Sequence, residues 1–163
     1  MKTKELSLNA LFIALIVIAT AFIHVPSGLS NGYIHVGDSM IFLALMFLPS
    51  YKGVFVGGLG SMLSDLVAGY AYFAPLTFVV QLLMGLVFFL IVKQEPHHFP
   101  SRLIACICAG TVMVIGYCIG EYFMYSSWGI ALSAIVPNMI QVVGSTLIFE
   151  LVYNVIKRQN ILK

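Results

Sequence analysis

The chain has 163 residues, of which 61% are hydrophobic and only 9% are charged, with a formal net charge of +2. A soluble domain carries about a quarter charged residues, so this composition excludes an ordinary soluble fold. The mean hydropathy of +1.03 instead indicates a protein dissolved in the lipid bilayer. There is no basic stripe along the sequence, so the small positive charge gives no reason to expect a nucleic-acid partner.

Six apolar segments follow one another, separated by short polar or turn-forming stretches. A bilayer-spanning helix needs about 20 apolar residues, which limits the chain to about six spans with short connections. We therefore predict an all-α integral membrane protein with one six-helix transmembrane domain over residues 1–163. The predicted helices cover residues 6–25, 38–48, 52–67, 75–92, 103–125 and 128–156.

The first predicted helix, 6–25, follows a charged N-terminus and ends at Pro26. Its apolar run is longer than that of a typical signal peptide, and no small-residue cleavage site follows it, so we expect a membrane span. The stretch 27–37 is rich in Gly and Ser and predicts a loop. Asp38 is then a candidate N-cap of the second helix, which is short for a span and is expected to be tilted, shielded by protein or extended backward.

The remaining predicted helices carry their own markers. The third is studded with glycines, which let neighbouring backbones approach closely: Gly53, Gly57, Gly58 and Gly60. The fourth begins at Pro75, a residue suited to a first helical turn. The hydrophilic stretch 93–102 must leave the membrane, and the sixth helix is expected to bend near Pro137.

The basic residues fix the expected orientation. Six spans that start inside place the N-terminus, the 2–3 turn, the 4–5 loop and the C-terminus in the cytoplasm, where Lys and Arg concentrate. Every basic residue then falls on that side: Lys2, Lys4, Lys52, Lys93, Arg102, Lys157, Arg158 and Lys163. The outer connections hold none, and one span more or fewer would break this partition.

With this topology, most polar side chains collect at the outer ends of the helices, which favours a pocket open to the outside over a continuous pore. Carboxylates within a membrane mark functional sites by default. The candidate substrate-binding residues are Tyr33, His35, Asp38, Asp65, Tyr72, Gln81, Glu121, Trp128, Asn138 and Gln141. Asn138 and Gln141 are three residues apart and share a helical face.

Each candidate also has a structural interpretation. Asp38 is explained as well by helix capping as by substrate binding. Asp65 is also explained by a position at the membrane interface. The tyrosines and Trp128 fit an aromatic belt at the membrane surface. The amides Gln81, Asn138 and Gln141 fit interhelical hydrogen bonding.

No pattern in the sequence indicates catalysis, a cofactor or a metal site. The cysteines Cys106, Cys108 and Cys118 lack paired spacing and are expected to be packing residues. His24 and His35 have no partner at metal-ligand spacing. A nucleophile elbow, a P-loop and an HExxH motif are all missing, so the sequence argues for neither an ATPase nor a hydrolase.

The chain resembles the substrate-binding S components of energy-coupling factor (ECF) vitamin transporters over nearly its whole length. The resemblance includes Ala10-Leu-Phe-Ile-Ala14 in the first helix, which looks like the AxxxA motif of the family. The stretch 57–66, with sequence GGLGSMLSDL, looks like the third helix of the family. The resemblance implies an S-component-like bundle that captures a vitamin from outside, and partners that comprise a membrane coupling subunit and two cytoplasmic ATPases. It also implies that Ala10 and Ala14 pack against the coupling subunit.

The substrate is predicted from the pocket chemistry. Aromatic faces with a few carboxylates and amides suit a small heteroaromatic ring that carries hydroxyl or amino groups. We therefore favour hydroxymethylpyrimidine or pyridoxine, with thiamine or riboflavin as rivals. The residues Met1-Lys-Thr-Lys-Glu5 lack the N-terminal His of the metal-specific relatives, which argues against cobalt or nickel. A small intramembrane enzyme that uses Asp65 or Glu121, and a membrane assembly protein, are the alternatives.

Overall fold

The computed structural model describes residues 3–26, 33–48 and 50–159. Within these residues the helices are α1 (Thr3–Ala21), α2 (Gly37–Phe47), α3 (Tyr51–Ala68), α4 (Ala74–Val92), α5 (Phe99–Tyr125), α6 (Trp128–Ser133) and α7 (Ile135–Arg158). Two short strands, β1 (His24–Pro26) and β2 (Tyr33–His35), form an antiparallel pair between α1 and α2.

The described helices form a bundle built for lipid. By length and composition, α1, α4, α5 and the α6–α7 stretch can each cross a membrane. Large apolar side chains stand exposed on the outside of the bundle, such as Phe123 at 77% and Leu151 at 70%. A soluble protein would bury such side chains, whereas hydrocarbon solvates them. The predicted class, an all-α integral membrane protein, is confirmed.

The short second helix lies inside the bundle. α2 has 11 residues, a length of about 16 Å, and the hydrocarbon core is about 30 Å thick. Protein shields it, because eight of its residues are buried: Gly37, Asp38, Ser39, Ile41, Phe42, Leu43, Ala44 and Leu45. The polar backbone at its start is thereby kept away from lipid.

The first helix ends earlier than the sequence predicts. α1 stops at Ala21, and residues 24–26 form β1 instead of the last helical turn of the predicted 6–25 span. Pro26 explains the change, because a proline disfavours the α conformation of the residue before it, here Val25. β1 pairs with β2 so that His24 faces His35 and Pro26 faces Tyr33. The prediction of a plain loop over 27–37 missed β2, and residues 27–32 of it lie outside the described part of the chain.

The glycines of α3 allow three neighbouring helices to pack against it. A Cβ on Gly60 would stand 3.0 Å from Ile16 of α1, and one on Gly57 would stand 2.8 Å from Ile41 of α2. A Cβ on Gly58 would meet the backbone oxygen of Phe78 in α4 at 3.2 Å. The close approach predicted from these glycines is confirmed. α3 ends at Ala68 and is capped by Gly69, whose φ of 85° is a conformation that glycine adopts without strain.

The helices alternate in direction, and the contacts at their ends show it. Lys52 at the start of α3 lies 3.2 Å from Glu5 at the start of α1. Lys157 near the end of α7 donates to the carbonyl of His97, in the α4–α5 connection, at 3.4 Å. The described basic residues all lie at this end, the predicted cytoplasmic end: Lys4, Lys52, Lys93, Arg102, Lys157 and Arg158. Lys2 and Lys163 are outside the described residues.

The last span is broken into two helices, α6 and α7. The predicted bend near Pro137 occurs as a break at Ala134, between the two helices. Pro137 accounts for its position, because its ring lacks an N–H and clashes with the carbonyl four residues earlier, at Ser133. Ser127 caps α6, since its Oγ accepts from the backbone N–H of Ile130 at 3.5 Å.

A buried ion pair joins α5 to α7 at the cytoplasmic end. The Arg102 guanidinium donates to both carboxylate oxygens of Glu150, at 2.9 and 2.7 Å, and lies over the Tyr153 ring at 4.2 Å. Arg102 was predicted to lie in the hydrophilic connection before a helix at 103. It instead belongs to the first turns of α5, which begins at Phe99, and it is 2% exposed. The two-pronged geometry pairs the two charges directly.

Adding the same side chain at two glycines tests the packing of α3. Gly57→Val would force a branched side chain into Ile41, which is fully buried, and overpacking of this kind costs about 1–3 kcal/mol. Gly144→Val in α7 is the matched control, because a Cβ there meets nothing within 4 Å. We expect the melting temperature in detergent to fall for Gly57→Val alone. Equal melting temperatures for the two variants would contradict the packing described above.

Candidate functional site

A buried carboxylate organises the outer half of the bundle. Asp38 is 1% exposed and lies in the first turn of α2. Its Oδ1 accepts from Gln81 Nε2 of α4 at 2.9 Å, and its Oδ2 accepts from Gln141 Nε2 of α7 at 2.7 Å. The positive end of the α2 dipole also favours the negative charge. Asp38 was considered as an N-cap, but the N-cap residue is Val36, and no side chain caps the helix.

Gln141 connects this carboxylate to strand β2. Its Oε1 accepts from the backbone N–H of His35 at 3.2 Å, while its amide nitrogen donates to Asp38. The Nδ1 of His35 accepts from the N–H of Gly37 at 3.1 Å. An acceptor at Nδ1 requires the neutral ring, and burial lowers the pKa of His35 from its ordinary value of 6.5, against the opposing influence of Asp38 and Asp65. The backbone N–H of His35 thus holds the strand on α7, and its neutral ring holds the strand on the start of α2.

Tyr33 of β2 reaches from the strand to α3. Its hydroxyl donates to Asp65 Oδ1 at 2.7 Å, and its ring lies 4.6 Å from that of Tyr70. Burial raises the pKa of Tyr33 well above its ordinary value, and the Asp65 carboxylate raises it further. The hydroxyl therefore keeps its proton and acts as a donor. This contact closes the outer mouth between β2 and α3.

A cleft lies between the hairpin and the outer ends of four helices. The described residues that line it come from β2, α3, α4, α5 and α7 and from the α3–α4 connection: Tyr33, His35, Asp65, Tyr70, Phe73, Thr77, Tyr117, Glu121, Pro137, Asn138 and Gln141. The cleft encloses about 40 Å³, well below the roughly 300–1,000 Å³ of ligand pockets. A heteroaromatic ligand therefore needs Tyr33, Tyr70 and their neighbours to move apart.

Glu121 and Asp65, the two acids of the cleft, each have one buried oxygen that receives no hydrogen bond from the described residues, Oε2 and Oδ2 respectively. Glu121 is 3% exposed, lines the cleft from α5, and its Oε2 is buried with no hydrogen-bond partner among the described residues. Tyr117, one turn earlier, donates instead to Thr77 Oγ1 at 3.2 Å. A buried acceptor without a donor costs free energy, so this oxygen is well suited to a donor from a ligand.

The structure sorts the ten sequence-predicted site residues into three groups. The first lines the cleft: Tyr33, His35, Asp65, Glu121, Asn138 and Gln141. The second group consists of Asp38 and Gln81, which are buried beside the cleft. Asp38 accepts a hydrogen bond from each of Gln81 and Gln141 and so holds Gln141 in place. The third lies outside: Tyr72 is 65% exposed and donates to the carbonyl of Met124 at 3.4 Å, and Trp128 is 57% exposed and stacks on Tyr122.

Several lining residues were absent from the predicted set: Tyr70, Phe73, Thr77, Tyr117 and Pro137. The helical period identifies two of them, because Thr77 lies four residues before Gln81 and Tyr117 lies four residues before Glu121. Residues four apart share a helical face, so the residue one turn before each predicted polar residue is expected to face the same cleft. Tyr70 and Phe73 sit in the turn between α3 and α4, where no periodic pattern applies.

The aromatic and polar groups of the cleft suit an organic ring as ligand. Aromatic faces, two carboxylates, amides and hydroxyls meet there, which is the chemistry of hydrogen-bonded heteroaromatic recognition. Over residues 3–26, 33–48 and 50–159, no group of three His, Cys, Asp or Glu side chains is placed to hold a metal ion. The cysteines predicted as packing residues are free thiols, and Cys106 is buried in the core.

Comparison with known proteins agrees with this architecture. A family model described as the S component of the ECF-type riboflavin transporter matches residues 1–158. An uncharacterized protein of Pyrococcus woesei is 29% identical over 133 residues, which cover 82% of this chain and 88% of the relative. A solved structure described under "Structure and mechanism of the S component of a bacterial ECF transporter" superposes with a TM-score of 0.78. That match has 22% identity and covers 100% of this chain and 99% of the other, and it establishes the shared fold.

An exchange of carboxylate and amide tests the Asp38 network. Asp38→Asn turns an amide N–H₂ towards one of the two glutamine N–H₂ groups, so two donors meet and a buried hydrogen bond is lost, at a cost of about 1–3 kcal/mol. Adding Gln141→Glu supplies an acceptor for the new amide and keeps an oxygen for the His35 N–H. We expect the single variant to melt at a lower temperature and the double variant to recover much of the loss. No recovery would show that the network is not organised by this pairing.

Proposed function

The chain belongs to the S component family of ECF-type riboflavin transporters, and from this premise we propose that it captures riboflavin from the outer side of the membrane. Membership makes it the substrate-specific subunit of a transporter in the cell membrane, and not an enzyme. The observation that carries the proposal is the outer cleft, where aromatic rings and unsatisfied polar groups meet at one mouth.

The chemistry of riboflavin matches the lining of the cleft. Its flat ring system offers faces to Tyr33, Tyr70 and Phe73, which stand around the mouth. Its ring N–H and its ribityl hydroxyls are donors for carboxylates, and Glu121 has an oxygen that needs one. Asn138 and Thr77 supply further polar contacts. Riboflavin thus replaces hydroxymethylpyrimidine and pyridoxine as the favoured substrate, because the family description names it.

We also propose the partners that an S component requires: a membrane coupling subunit and two cytoplasmic ATPases. Ala10 and Ala14 of α1 are exposed, one turn apart, on the outside of the bundle. The opposite face of α1 packs inward through Phe12 and Ile16. Small exposed residues at this spacing let another helix approach closely in lipid. This face of α1 is therefore the proposed contact with the coupling subunit.

Ligand-induced thermal stabilisation tests the substrate. At about 100 times its dissociation constant a ligand adds roughly 2.7 kcal/mol of stability, so we expect riboflavin to raise the melting temperature of the detergent-purified chain. Phe73→Ala removes an aromatic face of the cleft and should weaken binding about tenfold. Phe123→Ala is the matched control, because Phe123 is 77% exposed and outside the cleft.

The same panel includes pyridoxine, hydroxymethylpyrimidine and thiamine. A rise in melting temperature with one of these compounds and none with riboflavin would show that the chain takes a different vitamin from the one named for its family. The absence of a shift with any of the four compounds would contradict the assignment of the cleft as a vitamin site.

Enlarging the exposed face of α1 tests the partner contact. We expect Ala10→Leu with Ala14→Leu to abolish co-purification with the coupling subunit and ATPases, because two added side chains separate the helices. Riboflavin binding by the isolated subunit should be unchanged, since both positions face away from the cleft. The control is Leu147→Phe, a change on the lipid-exposed surface of α7. Intact complexes with the double variant would place the contact elsewhere.

A further inference from the structure

A notch opens at the cytoplasmic end of the bundle, where α2 is too short to fill the space between α1 and α3. α2 ends at Phe47, whose ring lies 5.6 Å from that of Phe12 in α1. Since α1 begins at Thr3, about two of its turns continue beyond this contact towards the cytoplasm. The start of α3 stands against them, because Lys52 pairs with Glu5 at 3.2 Å. The notch has a volume of about 480 Å³, within the range of ligand pockets.

The lining of the notch combines charged and apolar side chains. The described residues that line it are Lys4, Glu5, Leu8, Asn9, Phe47, Leu48, Ser50 and Lys52. Both lysines are exposed, and Glu5 is the one acid among these lining residues, so the notch carries a net positive charge. Leu8, Phe47 and Leu48 pack against the core of the bundle and give the notch an apolar floor.

Two polar groups at the notch are left for a ligand. Ser50, the N-cap residue of α3, makes no side-chain cap hydrogen bond, so no side chain caps the first N–H groups of this 18-residue helix. The positive end of the helix dipole favours an anion there. The Oδ1 of Asn9 is buried and accepts no hydrogen bond from the described residues. A phosphate group that carries a hydroxyl-bearing substituent would serve both, because its oxygens accept from N–H groups and its hydroxyl donates to Asn9.

An apolar groove continues from the notch between α1 and α3. The described residues that line it are Asn9, Tyr51, Lys52, Phe55 and Val56. Asn9 and Lys52 line the notch as well, so the two spaces adjoin. Tyr51 is 65% exposed and Phe55 is 52% exposed, which places the groove on the surface that faces lipid. The charged notch and the apolar groove together match the two parts of an amphiphile.

We propose that the notch and the groove bind an anionic glycerophospholipid of the cytoplasmic leaflet, with its phosphate between Lys4 and Lys52 and an acyl chain along the groove. The cytoplasmic leaflet is rich in anionic lipids, and the lysines lie at the helix starts on that side. A soluble phosphate compound shares the headgroup chemistry but leaves the apolar groove empty, so the lipid is the better match. The site lies at the opposite end of the bundle from the outer cleft and is independent of the proposed vitamin.

The detergent-purified chain is titrated with phosphatidylglycerol and with phosphatidylcholine of identical acyl chains, and bound lipid is counted by native mass spectrometry. Phosphatidylcholine carries no net charge, and each lysine near an anionic lipid strengthens binding about fivefold, so we expect phosphatidylglycerol to bind about tenfold more tightly. Lys4→Gln with Lys52→Gln should reduce this preference to about twofold or less. Lys93→Gln with Arg158→Gln is the matched control, because it removes the same charge from the same end of the bundle outside the notch, and it should leave the preference unchanged.

Glycerophosphoglycerol, the water-soluble headgroup without acyl chains, distinguishes a lipid from a soluble phosphate compound. We expect a tenfold excess of it to leave phosphatidylglycerol bound, because the headgroup alone buries no apolar surface in the groove. Displacement at equal concentration would assign the notch to a soluble phosphate compound and overturn the proposal. Equal binding of the two lipids, or an equal loss of preference in the two double variants, would overturn it as well. If the Lys4 and Lys52 variant keeps the lipid preference but loses co-purification with the coupling subunit, the notch belongs to a protein partner instead.

Discussion

The buried carboxylate of Asp38 is the constraint on which the outer half of the molecule depends. A charge removed from water must be hydrogen-bonded, and both of its oxygens are served by glutamines from different helices. Gln141 then has its oxygen left for β2, which fixes the strand over the cleft. From β2, Tyr33 reaches Asp65 of α3. One buried charge thus sets the positions of α2, α4, α7 and the hairpin relative to one another.

The middle of the bundle is closed by aromatic packing beneath this network. Phe42 of α2 stacks on Phe88 of α4 with ring centroids 4.6 Å apart, and Phe149 of α7 meets both rings edge-on. All three rings are essentially without exposed surface. The cleft therefore has an apolar floor, and a polar ligand has no hydrated route through the described part of the bundle. This geometry suits a subunit that binds its substrate at one side of the membrane.

The sequence predicted what depends on local composition. The helices, the one-sided positive charge and the glycine face of α3 follow from hydropathy and residue size along short windows. The hairpin, and the part that Asp38 takes in the structure, depend on partners far apart in the chain: His35 and Gln141 are separated by 106 positions. The prediction that Tyr72 and Trp128 belong to the site rested on residue type alone, and both side chains lie outside the cleft. The sequence does not distinguish a tyrosine or tryptophan that faces a cleft from one that faces lipid at a helix end.

The acids at the two ends of the molecule differ in the hydrogen-bond partners that the protein gives them. At the cytoplasmic end, Glu150 is buried but receives two donors from Arg102, so its charge is satisfied within the protein. At the outer end, Glu121 is also buried, and its Oε2 receives no donor from the residues that the structure describes. A fold that needed Glu121 only for packing would be more stable with an apolar residue of the same size, because a buried polar group without a hydrogen-bond partner costs free energy. Such a residue is explained when its missing partner is the ligand.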